Sequence, residues 1–135
     1  MRFPHLALAG LTLAIASPAA ADPILGDWFL PGGASQVRIA PCAEVERLCG
    51  EIIWLKHGAG DDGALAKAEP RERAVVGLRL LAGFKAEPGA WTDGRIYDPR
   101  SGETYASRMS LAEDGRLRVQ TCRASGCETQ TWRRD

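Results

Sequence analysis

Eight short runs of alternating apolar and polar residues, most of them ended by a glycine, proline or aspartate turn, constrain this chain more than any other feature. They fall at 25–30, 35–41, 49–56, 79–86, 90–98, 103–111, 116–122 and 127–134. A period of two sends alternate side chains to opposite faces of a sheet, and strands at this spacing build an all-β sandwich or barrel. Helical periodicity is scarce, which argues against helical bundles and strand–helix–strand folds. The two ends of the pattern choose between sandwich and barrel. Gly26-Asp27-Trp28 lies in the first run and Trp132-Arg133-Arg134 closes the last. In a closed barrel the first and last strands meet, and an arginine can stack on the indole that plugs one end. The expected fold is a single antiparallel barrel of roughly eight strands, with Trp28, Trp132 and Arg134 as its plug and Arg134 over Trp28 as the specific contact.

The turns set the register, and a slip of one residue would send every side chain to the wrong face. Asp98-Pro99-Arg100-Ser101-Gly102 has proline preset at its second position and sets Ile96 opposite Tyr105. Glu113-Asp114-Gly115 sets Leu111 opposite Leu117 and Met109 opposite Val119. If Cys42 faces Cys49, Ile39 faces Ile52 and Val37 faces Trp54, leaving Ile53 and Leu55 outside. A hairpin through Cys122 and Cys127 puts Val119 opposite Gln130, Leu117 opposite Trp132 and Thr121 opposite Glu128. The inner face is apolar until Ser107, Thr121, Glu128 and Gln130 gather at one corner beside Tyr105 and Trp132. Ligand cavities combine apolar walls with a few placed polar groups, so Trp54, Tyr105, Ser107, Met109, Thr121, Glu128 and Gln130 are the candidate binding residues. The competing reading is the hydrated rim of a barrel filled by its own side chains.

Where the chain works follows from its first residues. Arg2 supplies a positive start, Leu6 to Ala16 an apolar stretch, and Ala19-Ala20-Ala21 a small-residue cleavage site. Residues 1–21 read as a cleaved secretory signal peptide and 22–135 as one domain, periplasmic or secreted. No stretch approaches the ~20 apolar residues of a spanning helix, so no membrane span is expected. Four cysteines in an exported chain favour disulfides over metal or reactive thiols. Three pairings are possible; Cys42 with Cys49 and Cys122 with Cys127 is favoured, since each pair brackets a short polar segment between two runs. The spacings are wider than C-x-x-C and only His57 would remain as an imidazole, which makes zinc a poor competitor.

The 17 basic and 17 acidic side chains balance, so nothing points to nucleic acid or an anionic membrane surface. No G-x-S-x-G elbow and no phosphate-cradling glycine loop is present. A long loop from Lys56 to Arg73, between the third and fourth runs, holds His57, Asp61 and Asp62 and a short helical turn around Ala64 to Ala68. Glu51, Asp93, Asp98 and Glu128 are the carboxylates that a glycosidase-like pair would have to use, and Asp98 is explained by the turn it begins. Arg116, Arg118 and Arg133 fall on the outer wall. No catalytic residue, metal or cofactor is expected. The leading function is non-enzymatic binding of a small, partly apolar ligand outside the cytoplasm. An envelope protein-interaction module, with an apolar patch at Ile53 and Leu55 and a partner the sequence does not name, comes second. A hydrolytic enzyme with a carboxylate or His57-based site comes third.

Gly26-Asp27-Trp28, Val37-Arg38-Ile39 with Cys42, Leu48 to Leu55, the block from Gly94 to Tyr105, and Thr129-Gln130-Thr131-Trp132 together resemble a bacterial exported family known as domain of unknown function 2147. The resemblance covers the chain after residue 21, and the block from Gly94 to Tyr105 is its most specific part. It implies a lipocalin-like, calycin-type barrel and brings no catalytic residues with it. Gly26-x-Trp28 and the terminal arginine are similar to the calycin barrel signature. The family often carries an Asp/Asn-rich stretch after the third strand, where this chain has no asparagine and offers Asp61-Asp62 among alanines.

Overall fold

In the computed structural model, residues 10–14, 22–44, 46–56 and 75–135 are described. Eight strands follow one another: β1 (Gly26–Phe29), β2 (Ser35–Pro41), β3 (Arg47–Leu55), β4 (Arg79–Glu87), β5 (Ala90–Asp98), β6 (Glu103–Leu111), β7 (Leu117–Arg123) and β8 (Gly126–Trp132). Each pairs antiparallel with its neighbour in sequence, in the order β1 to β8. The sheet curls until its edges meet at Phe29 and Arg133, whose backbones exchange hydrogen bonds of 2.6 and 3.1 Å. β1 is short, so Gly126 to Thr131 of β8 face no strand beyond β7 among the described residues, and all six are exposed. The fold is thus an all-β, up-and-down, lipocalin-like barrel closed along only one stretch of its seam. The proposed cleavage site, the helical turn around Ala64 to Ala68 and the His57–Asp61–Asp62 cluster lie outside the described residues. No helix among the described residues is long and apolar enough to cross a membrane.

The alternation that defines the runs fills the interior. Val37, Ile39, Ile52, Leu81, Phe84, Ile96, Met109, Leu117 and Val119 point inward and join Trp28 and Trp132 in one buried cluster. Three turn-derived registers are observed: Ile96 lies opposite Tyr105, Met109 opposite Val119 and Leu111 opposite Leu117. So does the C-terminal hairpin, with Leu117 opposite Trp132, Val119 opposite Gln130 and Thr121 opposite Glu128. Close backbone approach adds to the packing. Gly94 carries no side chain because the Phe84 ring occupies the place a Cβ would take.

The first hairpin departs from expectation. Cys42 and Cys49 are bonded, but Cys49 lies opposite Ala40, so the disulfide runs diagonally across the pair with Cα atoms 5.0 Å apart. The ladder closes instead at Cys42 and Arg47, through a 2.8 Å hydrogen bond, over a turn that holds Glu46 at φ 81°. Val37 therefore faces Ile52, and Ile39 faces Gly50. Gly50 suits that place, because a Cβ there would come within 3.0 Å of both Val37 and Leu81. The offset is two residues, which changes partners and keeps faces. Further along, an irregularity at Gln36 and Val37 pairs Gln36 with Trp54, leaving Ile53 as an extra residue on β3. Such a bulge flips the alternation beyond it. Trp54 consequently stands on the outer wall, exposed and edge-on to Phe29 at 6.0 Å, and Leu55 turns inward, which corrects both expectations. The second disulfide, Cys122–Cys127, joins directly opposed residues with Cα atoms 4.0 Å apart.

One end of the barrel is stoppered by the segment Asp22 to Leu25. Ile24 is fully buried, and its carbonyl accepts a 2.8 Å hydrogen bond from the Trp28 indole. The Trp91 indole donates to the Asp22 carboxylate at 2.9 Å. Arg134 lies over the Trp28 ring at 4.0 Å and donates to the carbonyls of Leu25 (3.1 Å) and Pro23 (2.6 Å). Gly26, at φ 110°, admits this guanidinium, since a Cβ there would sit 3.2 Å from it. The cation on the indole face and the two carbonyl contacts close the barrel's base.

On the outer wall beside this base, Asp27 and Arg38 are cross-strand partners joined by hydrogen bonds of 2.7 and 3.0 Å. The hydrogen bond from Arg38, reinforced by its charge and that of Arg134, holds the Asp27 carboxyl below its ordinary value against a smaller opposing effect of burial. A folded-state value below the unfolded one contributes stability that is present above the unfolded value and lost as pH falls through the folded one. Following the Asp27 carboxyl by NMR should place its midpoint below that of an unperturbed aspartate, and Arg38→Gln should move it back up. The stability difference between the two proteins should vanish in acid below the folded midpoint. An unchanged Asp27 midpoint in the variant would contradict the assignment.

Candidate functional site

In an up-and-down barrel the β1–β2, β3–β4, β5–β6 and β7–β8 connections share one end. That end, opposite the Asp22–Leu25 stopper, holds a cavity of about 790 Å³. Its volume falls in the range of small-molecule sites. Ile52, Leu55, Leu80, Ile96 and Trp132 supply apolar lining, and Leu30 and Pro31 add more from the β1–β2 connection. Gln130 and Trp132 from β8 and Ala34 and Ser35 from the other side of the seam line the same space. The short β1 therefore leaves a flank of the cavity without strand pairing.

The polar groups sort by depth. At the floor, the Trp132 indole donates to the Gln130 side chain at 3.1 Å. Thr121 is buried in the wall. At the rim, Asp98 opens the β5–β6 turn, where its carboxylate accepts from the Arg100 backbone at 2.9 Å and its carbonyl from Gly102 at 2.8 Å. Arg123, the last residue of β7, stands 4.7 Å over the Tyr105 ring and 3.6 Å from the other Asp98 oxygen. The Tyr105 hydroxyl donates to Glu103 at 2.7 Å. Lys56 and Arg100 complete the rim, which among the described residues carries three cations against the carboxylates of Asp98 and Glu103. No side-chain nitrogen or oxygen buried among the described residues lacks a partner.

Of the expected binding residues, Tyr105, Thr121 and Gln130 line this cavity, joined by Trp132 from the expected plug. Four others do not. Trp54 is outside because of the bulge. Met109 is packed into the solid core. Ser107 is buried, but its hydroxyl donates to the Gln120 carbonyl at 2.6 Å and is committed to the wall. Glu128 faces inward by register, yet it is exposed because β8 has no second neighbour at its level. Lys56, Arg100, Arg123 and Leu55 escaped the sequence reading. Strand parity alone places both arginines and Lys56 at the same end, since each sits at the end of an odd-numbered strand or in the connection after it. Leu55 needed the bulge. A smaller hollow of about 310 Å³ on the outer wall, between Asp93, Arg95 and Arg108, is lined by surface charges and by the committed Ser107. No group of metal-ligating side chains occurs among the described residues.

Comparison with known proteins agrees with this architecture. No curated protein matches the chain. Among solved structures, protein HP1028 from the human pathogen Helicobacter pylori, described as belonging to the lipocalin family, is similar with a TM-score of 0.63. The two are 19% identical, and the match covers 82% of each chain. At that identity the likeness concerns the fold alone. Residues 26–134 match the model of a bacterial family described as an uncharacterised protein conserved in bacteria, DUF2147. With all eight strands inside that span, the chain belongs to the DUF2147 family and carries its sequence on a lipocalin-like barrel.

Proposed function

We propose that this protein binds a small, partly apolar molecule, without covalent chemistry, outside the cytoplasm. The observation that carries the reading is the cavity of about 790 Å³, apolar at depth and polar at its rim, in a barrel whose other end is stoppered by Ile24 and Trp28. A barrel of this size can be just wide enough to fill itself. Here the solid packing around Phe84, Met109 and Leu117 leaves the other half free. Both disulfides suit an oxidising compartment, in keeping with an exported chain and a leader over 1–21.

Native mass spectrometry of protein isolated from its own host is the direct test. A co-purifying small mass, lost on replacing Leu55 with tryptophan to fill the cavity, is the expected result. A bare protein whose Leu55→Trp variant is more stable than the parent would argue for a space that exists only as a packing defect.

One observation favours a second reading. Trp54 is 41% exposed on the outer wall against Phe29, which Arg133 covers at 5.2 Å. An exposed indole in such a cluster is a feature of protein-docking surfaces. Crosslinking in whole cells would recover one recurrent partner if docking is the role, and Trp54→Ala would abolish it.

A further inference from the structure

The polar groups at depth in the cavity are neutral, and the charged ones stand at its rim. Trp132 has given its N–H to Gln130, and the other polar groups toward the floor, Thr121 and the Gln130 amide, are neutral. At the rim the position is reversed. Arg123 is ion-paired with Asp98 at 3.6 Å without a hydrogen bond, and keeps 42% of its side chain exposed. Its fork of donors is stacked on Tyr105 and held in place by that ring. Asp98 is already engaged by the turn it opens, through Arg100. Arg100 and Lys56 stand beside them, so among the described residues three cations outnumber the carboxylates of Asp98 and Glu103 at the rim of an apolar shaft.

We infer that the ligand is a single-chain amphipath with an anionic head, its tail against Trp132, Ile52 and Ile96 and its head on Arg123 at the rim. This rests on the cavity reading above and adds the chemistry of the head group. A guanidinium stacked on an aromatic ring is suited to bidentate recognition of a carboxylate or phosphate. The dimensions agree with a chain of moderate length. Leu117, opposite Trp132, and Arg123 begin and end β7. At roughly 3.3 Å per residue and a strand tilt of about 40°, floor and rim stand about 15 Å apart along the axis. That is about a dozen bonds of an extended chain.

The test is calorimetric titration of the purified protein with four twelve-carbon probes below their micelle concentrations: dodecanoate, dodecyl phosphate, dodecanol and dodecyltrimethylammonium. Dodecanoate and dodecyl phosphate should bind at least about tenfold more tightly than the alcohol, the scale of one charge-assisted contact, and the cationic probe most weakly. Arg123→Gln should remove that preference, bringing both anions to the affinity the same variant shows for dodecanol, and Arg118→Gln on the outer wall should leave all four affinities unchanged. Equal binding of alcohol and carboxylate would overturn the anionic head and leave the cavity reading standing. Failure of all four probes would remove both. Vesicles of phosphatidylglycerol present a similar chemistry from a bilayer; adsorption to them without uptake of dodecanoate would also overturn the inference, because it would report a charged surface and not a filled shaft.

Discussion

Trp28→Ala is expected to lower the unfolding free energy by about 3–5 kcal/mol, which for a domain of this size shifts the melting temperature by roughly 15 °C. The ring is fully buried, holds the Ile24 carbonyl through its N–H and lies beneath Arg134, so its removal empties a large volume and unseats the stopper in one step. Trp28→Phe separates the two contributions. It keeps most of the ring and leaves the buried Ile24 carbonyl without its donor, a cost of about 1–3 kcal/mol. Trp54→Ala is the contrast: the same substitution on the exposed outer wall should cost less than about 1 kcal/mol. Equilibrium denaturation of the three variants measures the series. If Trp28→Ala unfolded within 1 kcal/mol of the parent, the stopper would not be a source of stability.

The second large effect should come from adding a single methyl group. Gly94 lies beneath the Phe84 ring, which has no exposed surface to retreat into. Gly94→Ala forces the ring off its rotamer or spreads β4 from β5, and overpacking of this kind costs about 1–3 kcal/mol, with Gly94→Val costing more. Phe84→Leu, destabilising alone, should recover part of the loss when combined with Gly94→Ala. The two changes should couple by about 0.5–3 kcal/mol in a double-mutant cycle. Strict additivity would mean that ring and backbone are not in the contact described.

Most of the fold was legible because the turns are strong and local. Pro99 and Gly102 fix one hairpin and Asp114-Gly115 the next, and all cross-strand partners derived from them are observed. The first hairpin was harder. A disulfide permits both direct and diagonal pairing, so Cys42 and Cys49 could not say which residue faces which. Gly50 decides between them through its packing against Leu81, a residue from another strand. Trp54 was misplaced for a related reason: a bulge is set by how two strands fit together and has no signature in either alone. The candidate site was only half legible. Alternation assigns a side chain to the inside, but it does not say whether that level of the barrel is packed, as around Met109, or hollow, as around Tyr105. That division depends on where Phe84 and the indoles fall along the axis, which is a property of the closed sheet.

The stopper also bears on when this chain can fold. Arg134 reaches back across 109 and 111 positions to the carbonyls of Leu25 and Pro23, and the seam closes through its neighbour Arg133. Contacts of that span come late, after the loop-closure entropy of nearly the whole chain has been overcome. During synthesis from the N-terminus, Leu25 and Trp28 emerge well before Arg134, the residue that holds them from more than 100 positions further on. A growing chain therefore holds an unfinished sheet until Arg133 and Arg134 are free to reach back to β1 and the segment before it.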